Sequence, residues 1–275
     1  MTGKVDLHVH TTASDGALAP REVVEQAHRL GLRLLSITDH DTVAGVGEAL
    51  ARADELGLTV IPGVEISAEK DGVQAHILGY YIDHTSPALI EQLDRYGQAR
   101  LRRAAKTLER LAEMGMPLAW ETISAAVEHG VVGRPHIAQA LVEGGFVATI
   151  EEAFGRYLNP GQAAYLPRLK ATPAQAIQMI HEAGGLPVLA HPWCVTFLLE
   201  ELVAEGLLGL EAYYRNYDAC QVRRLCYLAR EHGLVCTGGT DFHGLEGESL
   251  SLGETALPCA CITELEALHA SQMRP

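Results

Sequence analysis

The sequence lacks the features of a membrane-spanning, secreted or duplex-binding protein. None of its 275 residues fall in an apolar run long enough to cross a bilayer, and the amino-terminal residues lack the basic-then-apolar order of a signal peptide. Basic residues are few, 21 against 35 acidic ones, and the resulting net charge of −14 argues against a broad surface for duplex DNA. We therefore expect a cytoplasmic protein with no membrane partner.

Paired cysteines are also missing. The six cysteines all lie in the last third of the chain, and no two of them form a CxxC pair. In a reducing compartment this pattern predicts buried free thiols, not disulfides or a zinc knuckle.

What the sequence does have is a regular alternation of apolar strands and helices. We predict strands at Leu32–Thr38, Thr59–Val64 and Gln74–Tyr81, with helices at Arg21–Leu30 and Val43–Leu56. Nearly continuous apolar strands separated by helices are typical of a buried parallel sheet. The alternation stops over residues 85–165, which we interpret as a helical insertion or cap, and resumes over 166–275. About seven strands in residues 1–84 and 166–275, most followed by helices, favour an irregular barrel.

Side chains that bind metals follow these strands. His8 and His10 alternate on one strand and so share a face, and the carboxyl ends of barrel strands are where sites are built. The full set contains only imidazoles and carboxylates: His8, His10, Asp15, His40, Glu65, His76, His191, Asp241 and His243. Such ligands suit Mn, Fe or Zn, and nine exceed the needs of one ion. The set predicts two or three divalent ions sharing carboxylates, a frequent arrangement for hydrolysing phosphate esters.

Two acidic residues beside these ligands have a structural alternative. Asp39 and Asp41 could cap the helix that follows His40. For Asp39 we favour instead that it orients a metal ligand from outside the metal site. Glu65 could be an ordinary acid at the end of a strand.

The motifs, in this order, resemble those of the PHP (polymerase and histidinol phosphatase) family. The motifs are His8-x-His10, Asp15, Thr38-Asp39-His40, Gly63-Val64-Glu65, His76, Ala190-His191-Pro192 and Thr240-Asp241-Phe242-His243. The resemblance implies a distorted (β/α)7 TIM-like barrel with a helical insertion domain, a trinuclear metal centre and phosphoesterase activity. It assigns His8, His10, Glu65 and Asp241 to a first metal, Glu65, His76 and His191 to a second, and Asp15, His40 and His243 to a third. Asp241 and His243 are thereby also expected to take part in catalysis.

The insertion resembles that of stand-alone family members that act on nucleotides. The matching segments are Gly133-Arg134-Pro135-His136-Ile137-Ala138 and Tyr157-Leu158-Asn159-Pro160-Gly161. That group removes the 3′-phosphate from nucleoside 3′,5′-bisphosphates, and some members degrade short single-stranded RNA from its 5′ end. Members often have a lysine after the Pro-Gly pair, where this chain has Gln162.

The same resemblance suggests residues that bind a small anionic nucleotide. Arg134 would grip a phosphate, because its guanidinium fork matches two phosphate oxygens. His136 would hydrogen-bond that phosphate or donate a proton to the leaving group. Apart from the resemblance, Arg168 and Lys170 could also face the substrate, although basic residues between a loop and a helix are more often solvated. The structural alternative is that Arg134 caps the carboxyl end of a helix and His136 packs inside the insertion.

Two other functions compete with the nucleotide phosphatase. A histidinol phosphatase would use the same metals on a monophosphate, and a non-catalytic metal-binding module would have lost ligands. All nine ligands are present, which favours an enzyme, with Mn the first choice of metal and Fe or Zn the alternatives.

Overall fold

A computed structural model describes residues 4–121, 123, 133–167, 169–245 and 251–273. The chain packs as two compact units, one of Met1–Leu93 with Lys170–Pro275 and the other of Asp94–Leu169. The limits predicted for the insertion, residues 85 and 165, stay a prediction.

Seven strands of the larger unit form one sheet in which sequence neighbours are also spatial neighbours. They are β1 (Lys4–Asp6), β2 (Leu32–Ile37), β3 (Thr59–Lys70), β4 (Val73–Tyr80), β5 (Leu186–Leu189), β6 (Gly209–Tyr214) and β7 (Val235–Gly239). The segments that follow β1 and β7 meet through a parallel bridge between Val9 and Phe242. A Cβ atom on Gly239 would lie 2.3 Å from the Cβ of His8, so glycine permits this close approach. The sheet thereby closes on itself as the distorted barrel that the sequence predicts.

The parallel order is interrupted by a hairpin, which corrects one prediction. β3 continues past Glu65 to Lys70, and β4 runs antiparallel to both β3 and β5. The turn between them contains Asp71 and Gly72, both with positive φ (52° and 82°), as tight hairpin turns require. His76 pairs with Ser67. It therefore lies near the start of its strand, beside the carboxyl-terminal half of β3.

Helices cover the sheet and form the smaller unit. Those of the larger unit are α1 (Pro20–Arg29), α2 (Val46–Leu56), α6 (Pro173–Glu182), α7 (Leu199–Ala204), α8 (Ala219–Glu231) and α9 (Cys259–Gln272). Between them in sequence come α3 (Pro87–Glu113), α4 (Arg134–Glu143), α5 (Ile150–Ala153) and a π-helical turn at Phe154–Leu158. Thr172 caps α6, its hydroxyl accepting from the backbone N–H of Gln175 at 3.2 Å. No helix in the described ranges combines the length and apolarity needed to span a membrane.

Each unit has an apolar core of its own. In the larger unit, Leu78 and Val188 of the sheet and Leu7, which follows β1, pack with Ile262 and Leu265 of α9, all of them buried. In the smaller unit, the buried side chains include Leu111, Ile123, Ile137, Leu141 and Leu158. Burial of apolar surface of this kind supplies most of the stabilisation of a fold.

The cysteines are all free, but most are not buried, which corrects a second prediction. Cys261 is buried, Cys226 and Cys236 are half-buried, and Cys194, Cys220 and Cys259 are exposed. The exposed thiols lie on helices and a turn at the surface, a placement that cysteine spacing alone does not reveal.

A buried carboxylate joins the first strand to the segment after the last. Asp6 is fully buried and accepts hydrogen bonds from the hydroxyl of Thr240 at 2.6 Å, the N–H of Thr240 at 2.9 Å and the N–H of Gly253 at 2.8 Å. Burial raises the pKa of Asp6 to about 6, although these hydrogen bonds offset part of the shift. The arrangement fixes the backbone that leads into Asp241.

We expect Asp6→Ala to lower the free energy of unfolding by about 2–4 kcal/mol, because it leaves several buried donors without an acceptor. Chemical denaturation of the metal-free protein measures the change. Asp54→Ala, at an exposed position of α2, serves as the control and should stay within about 0.5 kcal/mol of the parent. Equal stability of the two variants would contradict this role for Asp6.

Candidate metal centre

The nine residues predicted to bind metals lie together, although they come from separate parts of the larger unit. His8 and His10 follow β1, His40 follows β2, and Asp15 lies in the loop before α1. Glu65 is part of β3 and His76 of β4, while His191 follows β5 and Asp241 and His243 follow β7. Their ligand atoms form three overlapping groups.

The first group is buried and contains two histidines and two carboxylates. The Nε2 atoms of His8 and His10 lie 3.1 and 3.2 Å from Oε2 of Glu65. The same nitrogens lie 3.4 and 3.0 Å from Oδ1 of Asp241. Four ligand atoms from three chain segments therefore surround one small volume, which matches the number of ligands a Zn or Mn ion takes from a protein.

The second group surrounds the other side of Glu65. Nδ1 of His76 and Nε2 of His191 lie 2.9 and 3.2 Å from Oε1 of this carboxylate. Nδ1 of His40 lies 3.1 Å from Oε2. Both oxygens of one carboxylate thus face imidazoles, an arrangement suited to bridging two ions.

The third group is more exposed and is arranged around Asp15, whose side chain is about half exposed. Oδ1 of Asp15 lies 3.5 Å from Nδ1 of His10 and 3.5 Å from Nε2 of His243. Oδ2 lies 3.9 Å from Nε2 of His40. His10 and His40 belong to two groups each, so the three groups are continuous.

The charges of the centre are strongly coupled. Burial would raise the pKa of Glu65, but the surrounding imidazoles of His40, His8 and His76 hold it well below its ordinary value. Burial would lower the pKa of His10, yet the carboxylates of Asp241 and Glu65 raise it to about 10. In His40 burial prevails and lowers the pKa to about 4. At neutral pH the centre therefore combines the ionised carboxylate of Glu65 with the neutral imidazole of His40.

Unsatisfied nitrogens show that this donor set suits divalent metal ions. His10 is fully buried, and its ring nitrogens, like Nδ1 of His40, lie 3.0–3.5 Å from carboxylate oxygens without completing a hydrogen bond of good geometry. A buried polar atom with a poor hydrogen bond is costly, and a metal ion between it and the carboxylate would satisfy both. The donors are all nitrogen or carboxylate oxygen, which are ligands of Mn, Fe and Zn.

Two of these residues have strained backbones. His191 has φ of 28° and Asp241 has φ of 50°, in the left-handed region that residues other than glycine rarely adopt. Strain of this kind persists where the surrounding structure holds a side chain in a required position.

Sequence reasoning missed Glu211, which supports two of the candidate ligands. Glu211 is fully buried in β6, and its Oε1 accepts from Nδ1 of His8 at 2.9 Å. Its Oε2 accepts from the backbone N–H of His191 at 2.7 Å. A carboxylate on the far nitrogen of a ligand histidine fixes its tautomer and ring orientation. The signal in the sequence is a single acid inside an apolar strand.

Asp39 does not cap a helix. Its carboxylate accepts from the N–H and hydroxyl of Thr11 at 2.7 and 2.8 Å and from the hydroxyl of Ser14 at 2.6 Å. It thereby shapes the turn between His10 and Asp15. Asp41 accepts from the N–H of Ser67 at 2.8 Å.

We expect Glu211→Gln to weaken metal binding about 10- to 100-fold, because an amide has only one acceptor oxygen for the two donors that Glu211 serves. Equilibrium dialysis against Mn²⁺ with elemental analysis gives the affinity. Glu200→Gln, at an exposed position of α7, is the control that should bind as the parent does. Unchanged affinity in Glu211→Gln would exclude this role.

The residues predicted to bind substrate have well-defined surroundings in the smaller unit. Nη1 of Arg134 donates to the carbonyl of Leu158 at 3.1 Å, at the carboxyl end of the π-helical turn. Its guanidinium also lies 5.9 and 5.8 Å from the rings of Phe154 and Tyr165. The capping contact of the structural alternative is therefore present, and it uses one of five guanidinium N–H groups.

His136 is half-buried, and its Nδ1 accepts from the N–H of Gly133 at 2.9 Å. Burial lowers its pKa. The neutral ring therefore carries its proton on Nε2, where it can donate a hydrogen bond.

Lys170 and Arg168 are the other two residues predicted to bind substrate. The ammonium group of Lys170 lies 2.8 Å from Oε2 of Glu69, an ion pair within the larger unit. Arg168 lies outside the described residues. Their roles toward substrate stay predictions.

Comparison with known proteins identifies the family. The model of the PHP domain matches residues 6–158. The 5′-3′ exoribonuclease of Haemophilus influenzae is 37% identical over 94% of this chain and 98% of its own length. The 3′,5′-nucleoside bisphosphate phosphatase of Chromobacterium violaceum is 32% identical over 98% of both chains. The chain therefore belongs to the PHP domain family.

Solved structures agree with this assignment. A crystal structure from Bifidobacterium adolescentis, described as a metal-dependent phosphoesterase, is 35% identical with a TM-score of 0.79. The match covers 97% of this chain and 96% of the other. Phosphoester hydrolysis is the class of activity that this fold and its ligand set support.

Proposed function

We propose that this protein is a metal-dependent hydrolase that removes the 3′-phosphate from nucleoside 3′,5′-bisphosphates. The observation that carries the proposal is the convergence of nine imidazole and carboxylate side chains into three overlapping groups. Relatives that resemble it over almost their whole length include a 3′,5′-nucleoside bisphosphate phosphatase.

In this proposal the three groups hold two or three divalent ions, with Mn preferred and Fe or Zn as alternatives. His8, His10, Glu65 and Asp241 would hold one ion, Glu65, His76 and His191 a second, and Asp15, His40 and His243 a third. Bound there, divalent ions would polarise a phosphoryl oxygen and acidify water toward neutrality. Asp241 and His243 are proposed to take part in catalysis as well as in metal binding.

Arg134 and His136 are proposed to bind a phosphate of the substrate. Support comes from the free donors that remain on Arg134 beyond its contact with Leu158. The neutral state of His136 favours hydrogen bonding to phosphate over donation of a proton to the leaving group. Both residues belong to the insertion predicted at residues 85–165.

A second activity of the same centre is hydrolysis of short RNA from its 5′ end. The exoribonucleases of Haemophilus influenzae and Escherichia coli, 37% and 38% identical, favour it. The charge of −14 fits a short single strand better than a duplex. A histidinol phosphatase and a non-catalytic metal module are not favoured by any of these observations.

The test is hydrolysis of adenosine 3′,5′-bisphosphate in the presence of Mn²⁺, measured as the release of inorganic phosphate. We expect EDTA to abolish activity and Mn²⁺ to restore it. We expect Arg134→Ala to lower kcat/KM about 100-fold with unchanged metal content, because a phosphate loses a charge-assisted contact.

The matched control is Arg156→Ala, since Arg156 is an exposed arginine of the smaller unit paired with Glu152. It should keep full activity. Full activity of Arg134→Ala would show that Arg134 does not bind the substrate phosphate. Hydrolysis of histidinol phosphate in preference to the bisphosphate would contradict the proposed substrate.

A further inference from the structure

Three aromatic side chains adjoin the metal centre in a chain that has few of them. Aromatic residues make up 5% of the sequence. Tyr214 ends β6, Tyr217 follows it in the next loop, and Trp193 follows β5 two residues after His191. Trp193 is 41% exposed, whereas the two tyrosines are half-buried. Aromatic side chains therefore lie within ring contact of a candidate metal ligand, His191.

The three rings form a continuous row that begins at a candidate metal ligand, and we call them the aromatic row. The ring centroids of His191 and Tyr214 are 5.6 Å apart, those of Tyr214 and Tyr217 are 5.2 Å apart, and those of Tyr217 and Trp193 are 6.3 Å apart. The interplanar angles are 53–60°, so no two of these rings stack face to face. The row leads from the metal centre outward to an exposed indole.

Hydrogen bonds hold the row in place. The hydroxyl of Tyr214 donates to Oδ2 of Asp241 at 2.8 Å, and the backbone N–H of Trp193 donates to the hydroxyl of Tyr217 at 3.0 Å. The polar ends of both tyrosines are therefore satisfied within the protein, and their rings need not move when a ligand binds. Such preorganisation reduces the entropy cost of binding.

The surroundings of the row favour a ligand that is planar and aromatic. Arg215 is ion-paired with Asp241, its Nη2 3.6 Å from Oδ2 of that carboxylate, and its guanidinium carbon lies 5.9 Å from the ring of Tyr214. Aromatic faces next to a metal centre match the base of a nucleotide whose phosphate would lie at the metals. Phe197, which is 67% exposed in the same segment, makes no ring contact of this kind in the described structure.

We propose that the aromatic row is a subsite that stacks a nucleobase, with Trp193 as its outer platform. The inference rests on the proposed function, because it places the base of a nucleotide whose phosphate lies at the metal centre. Stacking on an aromatic side chain tolerates any base, so the subsite would give affinity for nucleotides without selecting one base.

The first test compares adenosine 3′,5′-bisphosphate with an abasic analogue, 1-deoxyribose 3,5-bisphosphate. We expect the parent to prefer the adenine compound in kcat/KM by about 5- to 150-fold, the range that base stacking supplies. In Trp193→Ala the ratio should fall to near one, chiefly through KM, and Trp193→Phe should restore most of it. Phe197→Ala is the matched control and should keep the parental ratio.

The second test reads binding directly. Trp120→Phe leaves Trp193 as the sole tryptophan, since the chain has two. Its fluorescence should be quenched by the adenine compound and not by the abasic one. Quenching without any hydrolysis would overturn the proposed function but support the subsite.

Two results would overturn the subsite. One is an unchanged preference ratio in Trp193→Ala while the parent hydrolyses the bisphosphate. The other is an equal fluorescence response to both compounds, which would show that the base does not contact Trp193.

Discussion

One buried carboxylate organises the centre. The side chain of Glu65 is 1% exposed and lies 2.9–3.2 Å from ring nitrogens of five histidines: His8, His10, His40, His76 and His191. A single carboxylate cannot satisfy two buried and three half-buried imidazoles by hydrogen bonding alone, because each oxygen has few acceptor positions. Shared divalent cations would resolve this conflict, and the strands of the barrel hold the groups in place for them.

The fold makes that arrangement attainable. Closure of the barrel brings the segments after β1 and β7 together, and the β3–β4 hairpin brings His76 to the same face as Glu65. Two further buried carboxylates support the candidate ligands. Asp6 binds the backbone N–H of Thr240, next to Asp241, and Glu211 binds the ring of His8. The strained φ angles at His191 and Asp241 indicate that the surrounding structure holds these two side chains in position at a cost in backbone energy.

The sequence predicted that the nine candidate side chains converge, because all but Asp15 follow or lie in an apolar strand and strand periodicity fixes which side chains share a face. It did not predict the direction of β4, which depends on a two-residue turn at Asp71 and Gly72. It also missed Glu211, because an acid inside a strand has no spacing that marks it as a partner of His8. The contact of Arg134 with Leu158 depends on tertiary packing between segments far apart in sequence.

The central claim is that Glu65 is shared by more than one metal ion. Its most direct test is the metal stoichiometry of the protein and of Glu65→Gln after loading with Mn²⁺ and gel filtration. The account predicts at least two ions per chain in the parent and less than one in Glu65→Gln. One ion or fewer in the parent, or the same number in both proteins, would contradict it.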